Sequence, residues 1–287
     1  MDLGRVGIWS GQLRRADPSA ISDAAAEVDA LGFGAIWIPG GFGGDVFGDA
    51  ARLLEATTRA TVATGILNVW MHTPEEAAAG HAALTGDHPG RFLLGLGVSH
   101  EPAVTKSGQV YARPLAKMRE YLDALDVAGP PVPAAERMLA ALGPRMLELA
   151  RDRSAGAHPY LVTSDHTAAA RAVLGDGPRL ATEVMVVLDD DAQRARAVAR
   201  QHLSRYMVLP NYTNNFLRYG FDDSDLLDGG SDRLVDGLIA WGDLDAIAAR
   251  VGEHHDAGAD HVCIQVLQAD AAALPVDAWR RLADAVL

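Results

Sequence analysis

Short β-branched or apolar runs alternate along the whole chain with Ala-rich stretches of helical period, the sequence form of repeated βα units and of a parallel sheet. The spacing predicts strands over Arg5–Trp9, Ala35–Ile38, Thr61–Asn68, Phe92–Leu96, Met138–Leu142, Ala157–Leu161, Glu183–Leu188 and His261–Val266. Eight such units in 287 residues predict an α/β chain folded as one (β/α)8 TIM barrel over residues 1–287.

The intervening helices carry start and stop signals. Asp17-Pro18 sets a capping carboxylate before a proline at the first helical position, and Leu31-Gly32 ends that helix with a residue free to take positive φ. Thr73-Pro74-Glu75-Glu76 repeats the start and adds acids where the helix dipole favours them. Further helices are expected between Asp243 and Gly258 and between Pro275 and Val286, with the pair His254-His255 facing solvent. Short loops at Gly32–Gly34 and Asp87–Gly90 suit the stability face of a barrel. Two long connections, 97–114 and 210–241, the second without a clear strand pattern, read as insertions at the C-terminal face, where barrels build their sites.

Composition narrows the classes. A net charge of −13 opposes a nucleic-acid partner, because that binding relies on Lys and Arg neutralising phosphates. No apolar run is long enough to cross a bilayer, so no membrane partner is expected, and the start MDLGRVGIWS lacks the basic and apolar segments of a secretory signal, which leads to a cytoplasmic expectation. Cys263 is the single cysteine, which excludes an intramolecular disulfide and a thiolate cluster; its apolar neighbours predict a buried, inert thiol. The first strand, GRVGIWS, has no H-x-H, the other histidines are scattered, and no metal is expected.

The stretch FLLGLGVSH (92–100) delivers Gly95 and Gly97 at the end of an apolar run. A dinucleotide fingerprint would need three glycines in the first βα unit and an acid about 20 residues later; here there are two, in the fourth unit, opening a long loop. Two readings remain: the glycines relieve crowding at a strand end, or they let backbone approach a ligand.

The stretches TGILNVW (64–70), GRFLLGLGVSHEP (90–102), YARPLAKMREYLDAL (111–125), ALGPRMLELA (141–150) and GAHPYLVT (156–163) resemble, in this order, the luciferase-like monooxygenase superfamily. More narrowly, they resemble its branch that uses the deazaflavin coenzyme F420, found mainly in actinobacteria. The resemblance runs from the first strand to the last helix and implies an oxidoreductase. It also implies a third strand ending in a bulge with a non-prolyl cis peptide against the ring, here Gly65-Ile66, with Asn68 facing the same way. Gly97, Val98 and Ser99 would meet the ring or its ribityl chain. Leu142, Gly143, Arg145 and Met146, where a strand turns into a helix, would hold the phosphate, for which a helix start and a guanidinium are suited; a Pro-started helix with a surface Arg reads equally well. Ser154 and Gly156 form the second phosphate-loop candidate. The second strand ends IWIPGGFGG, without the acidic or Asp-His pair many deazaflavin enzymes place there.

Reduced deazaflavin delivers hydride from its C5 and reacts poorly with oxygen, so the resemblance implies a protein that mainly orients the substrate against that carbon and protects the site, with or without a proton donor. His100 is the first candidate donor, tuned by Glu101, against a reading of both as loop residues. Trp9, Trp37, Trp70, His72 and Tyr212 are candidate walls for a substrate pocket; the tryptophans read equally as core, and the segment around Tyr212 equally as a dimer contact. Small-molecule substrate and homodimer are the expected partners. The competing functions are an FMN-dependent monooxygenase and a non-catalytic flavin-binding barrel.

Overall fold

The computed structural model describes residues 1–41 and 43–287. Its strands are β1 (Val6–Trp9), β2 (Ala35–Gly40), β3 (Thr61–Asn68), β4 (Phe92–Gly97), β5 (Arg137–Leu139), β6 (Gly156–Ala157), β7 (Arg179–Val187), β8 (Ile239–Trp241) and β9 (His261–Val266). All pairings are parallel. From β1 to β7 each strand pairs with the next, β7 pairs with β9, and β9 returns to β1, closing an eight-stranded (β/α)8 barrel.

Alternation along the strands divides the core into two layers. Ile8, Ile36, Ile38, Val62, Leu94, Leu96, Val262 and Ile264 face the surrounding helices. Trp37, Ala63, Leu93, Met138, Ala181 and Cys263 face the barrel axis. The sequence signals for helix ends hold: Asp17 caps Pro18–Leu31, Gly32 closes it at φ 104°, and Thr73 with Glu76 forms a reciprocal capping box on Pro74–Asp87.

Four readings need correction. The fifth and sixth strands are shorter than Met138–Leu142 and Ala157–Leu161, because Pro159 cannot donate to a ladder and Leu161 takes a positive φ of 57°, turning the chain off the barrel wall. The seventh begins at Arg179 rather than Glu183. The connection 210–241 carries helices Pro210–Arg218 and Asp232–Leu238 and the strand β8, three residues too short to show a period; β8 pairs with Met185–Val187 beyond the two residues of β7 that pair with β6. His254 does not face solvent: it is buried and shares a 2.9 Å hydrogen bond with the Thr167 hydroxyl.

Candidate active site

The feature that organises the C-terminal face is a one-residue bulge in β3. Against β2 the register passes from Ile38↔Thr64 to Gly40↔Leu67, and against β4 from Ala63↔Leu93 to Leu67↔Leu96. The Gly65-Ile66 peptide at this bulge is cis, and these two are the only residues of β3 that are not buried. Neighbouring strands make room for it with glycine. A methyl group at Gly95 would lie 1.9 Å from the Thr64 carbonyl oxygen, at Gly97 2.5 Å from the Ile66 side chain, and at Gly40 2.9 Å from the Ile66 carbonyl oxygen. Of the two readings of Gly95 and Gly97, the structure gives crowding a specific cause.

Asn68, inside the barrel wall, is fully buried; its Oδ1 accepts from the Trp70 amide at 3.0 Å while its Nδ2 has no partner. Trp9 donates its indole N–H to the Gly65 carbonyl at 3.1 Å, and His158 Nε2, also unpartnered, lies beneath Gly65. The His158 Nδ1 faces the Ala181 carbonyl at 2.8 Å, which fixes the proton there; burial pushes this imidazole down to about 4 and keeps it neutral.

Beyond β4, Val98 and Ser99 are half-buried; Val98 accepts from the Trp70 indole at 2.9 Å and Ser99 has a φ of 56°. Beyond β5, Gly143 precedes the helix Pro144–Arg153 with no side-chain cap and open space around its Cα. Arg145 is exposed and makes no ion pair or hydrogen bond among the described residues, and Leu142 is held by His166, whose Nε2 lies 2.9 Å from its carbonyl. Met146 is half-buried beside them.

Over this face folds the 210–218 helix. Tyr212 is buried, 5.4 Å from the His100 ring and 5.0 Å from the Tyr206 ring, and His100 Nδ1 lies 3.1 Å from Asn211 Oδ1. Burial lowers the His100 pKa and the Asn211 contact opposes it, so the ring is mainly neutral at pH 7. Glu101 is exposed on the first turn of the next helix and takes no part in shifting His100, contrary to the expected tuning. A cavity of about 110 Å³ opens between Trp9, Tyr160, His202, Tyr206, Gln265 and Leu267.

Several expected residues lie elsewhere. Ser154 precedes β6 and Gly156 begins it, at the opposite, N-terminal face, where Ser154 Oγ bonds the Ala150 and Gly156 carbonyls and a methyl at Gly156 would lie 1.8 Å from the Arg179 carbonyl; they serve strand packing. Trp37 is wholly buried in the barrel axis, stacked on His158 at 4.3 Å and donating to His261. Trp70 braces the β4 loop and packs against Tyr111 and Lys117. His72 packs edge-on against Phe47 at 6.2 Å, away from the cavity. Unforeseen were Tyr160, Glu183 and Gln265. The last two occupy inward positions of β7 and β9, which the alternation alone could have flagged.

Residues 2–128 match the model of the luciferase-like monooxygenase family. The match covers less than half of the chain. Over 128 residues it is 34% identical to a protein of Mycobacterium tuberculosis provisionally named a coenzyme F420-dependent oxidoreductase, covering 43% of this chain and 35% of the relative; the matched region thus spans about a third of that protein. Among solved structures, the coenzyme F420-dependent tetrahydromethanopterin reductase of Methanopyrus kandleri superposes with a TM-score of 0.77 at 15% identity, over 100% of this chain and 99% of that one. An F420-dependent secondary alcohol dehydrogenase gives 0.75 at 14%, with 99% of each chain covered. The oxygenating component of a Pseudomonas putida diketocamphane monooxygenase, solved with FMN, gives 0.70 at 15%, over 98% and 96%. At these identities the luciferase-like barrel is what is shared.

Among the described residues no group of three or more His, Cys, Asp or Glu side chains could hold a metal, and no helix is long and apolar enough to cross a membrane.

Proposed function

We propose that this luciferase-like protein is a coenzyme F420-dependent oxidoreductase that moves a hydride between the deazaflavin and a small organic substrate at the C-terminal face. The observation that carries the reading is the uncovered Gly65-Ile66 bulge beside Asn68, whose buried Nδ2 lacks a partner. A buried amide N–H without an acceptor costs roughly 1–3 kcal/mol, and the carbonyl edge of a flavin-like ring is an acceptor of the right kind. The donor set fits the coenzyme's tail as well: the helix start at Gly143 with the unpaired guanidinium of Arg145 is suited to a phosphate. When bound, the coenzyme supplies or accepts the hydride at its C5. The chain's own part is to seat the ring's edge with Asn68, hold the anionic tail with Gly143, Arg145 and Met146, and exclude water with the Tyr212 helix. His100 stands at the roof as the candidate proton donor. Its neutral state at pH 7 means that such a role draws on a minor protonated fraction, so turnover would rise as pH falls toward the lowered His100 pKa.

The test is to titrate the purified protein separately with coenzyme F420 and with FMN, following cofactor fluorescence. Asn68→Ala and Arg145→Ala should each weaken deazaflavin binding by about tenfold or more, the worth of one charge-assisted or buried hydrogen bond. Binding of FMN with none of the deazaflavin would transfer the protein to the oxygen-using branch of its family.

A further inference from the structure

The cavity inverts the charge of its protein. The chain carries a net charge of −13, yet none of the residues lining the cavity is Asp or Glu, while Arg15, Arg205 and four glutamines are among them. The proton inventory of its polar wall sharpens the contrast. Tyr160 donates its one hydroxyl proton to Gln265 Oε1 at 2.8 Å, so in the 2.9 Å Tyr160–Tyr206 contact Tyr206 must be the donor. The chain Tyr206 to Tyr160 to Gln265 therefore ends with the Gln265 carbonyl oxygen engaged and its Nε2 protons available to the cavity. Trp9 is already spent on Gly65. Arg205 uses only its Nε, on the His202 carbonyl at 3.2 Å, and forms no ion pair among the described residues. His202 is kept neutral, pushed down to about 3 by burial, and adds no charge. Gln12 and Gln268 give their amide protons to the Ala271, Asp270 and Ala273 carbonyls, so what the wall offers a ligand is the Gln265 Nε2 donor and the Arg205 cation, beside apolar surfaces from Trp9, Val198 and Leu267.

We infer that the substrate is a small planar organic acid, its ring or unsaturated carbons against Trp9 and Leu267 and its carboxylate received by Gln265 and Arg205. The size agrees. A water-sized position needs about 10–15 Å³, so a cavity of about 110 Å³ takes on the order of eight to ten non-hydrogen atoms. A neutral carbonyl could answer Gln265 alone, whereas a carboxylate also forms a charge-assisted bond with Arg205. The inference rests on reading this face as the active site, and its test is independent of the coenzyme.

Benzoate and benzamide, matched in shape and differing in charge, are titrated into the protein without cofactor at low salt, following tryptophan fluorescence. Benzoate should bind about tenfold or more tighter than benzamide, and Arg205→Gln should remove most of that preference while leaving benzamide affinity unchanged. Arg205 is exposed, so this variant keeps the fold. Gln265→Leu should weaken benzoate further, with an unchanged thermal midpoint as the check on folding. Equal affinity for the two probes, binding of neither, or an Arg205→Gln variant that retains the preference would overturn the inference. If the preference holds while coenzyme F420 fails to bind, the organic-acid site stands and the oxidoreductase reading falls; coenzyme binding without the preference decides the reverse.

Discussion

Replacing Glu183 by glutamine should change how stability depends on pH, and the structure fixes both sign and size. Glu183 points into the barrel from β7, 1% exposed; its Oε2 accepts from the Leu161 amide at 3.0 Å and its Oε1 has no partner. The groups around it are the hydroxyls of Tyr160, Tyr206 and Tyr212 and the Cys263 thiol, and among the described residues no cation enters the balance to compensate a carboxylate. Burial, opposed only weakly by the Leu161 bond, pushes its pKa from 4.5 up to about 8. The folded protein thus keeps a proton that the unfolded chain releases above pH 4.5, so stability falls as pH rises from about 4.5 to about 8. The slope is about 1.4 kcal/mol per pH unit and the full span is of order 5 kcal/mol. Glutamine has the same shape and does not titrate. Urea unfolding of the two proteins at about pH 5.5, 6.5 and 7.5 should give unfolding free energies whose difference moves in favour of Glu183→Gln by about 1.4 kcal/mol per unit. Other titrating groups cancel in that difference. Parallel pH curves would show that Glu183 is ionised in the folded state and that the barrel axis is wetter than its packing implies.

Below pH 6.5 the sign reverses. His158, His166 and His261, pushed down to about 4, and His202 and His254, to about 3, are all buried neutral, so acid stabilises the unfolded chain, and the thermal midpoint should drop steeply between about pH 6.5 and 4, more steeply than Glu183 alone could offset. Gly95→Ala should cost several kcal/mol or abolish soluble expression, since its methyl would sit 1.9 Å from the Thr64 carbonyl oxygen. Gly86→Ala, in the helix Pro74–Asp87 with nothing near its Cα, should instead stabilise by about 0.5–1 kcal/mol, both read by chemical denaturation. Thr73→Ala removes one arm of the capping box and should cost about 1 kcal/mol in the same assay.

The fold was legible because a parallel barrel writes itself in local terms. Strands such as β3 and β9 were placed to the residue, since their inward and outward neighbours are apolar and their ends are marked by Asn68 or preceded by Gly258. The elements misread are those decided by distant partners. β6 is two residues long because Pro159 and Leu161 turn away, and β8 exists only because that turn frees an edge of β7. Trp37 and Trp9 are register partners on adjacent strands and look alike in sequence, but one is sealed by His158 and His261 while the other borders the cavity. No single-strand pattern carries that difference, since it depends on how high in the barrel the plug of side chains ends.

The glycines show how site and scaffold are written together. Gly40, Gly95 and Gly97 come from two strands, yet each is required by the same extra residue in β3. An alanine at any of them would press on the bulge, so the exposed Gly65-Ile66 edge is a property of three strands rather than of the loop that displays it. It follows that the candidate ring seat and the barrel wall cannot vary independently. The connection 210–241, which supplies Tyr212 and Asn211 from helices packed on top, can vary without touching the bulge. Under the proposed function, substrate choice would be free to reside in the roof and in the Gln265 and Arg205 wall, while the place where the coenzyme would rest stays fixed by packing.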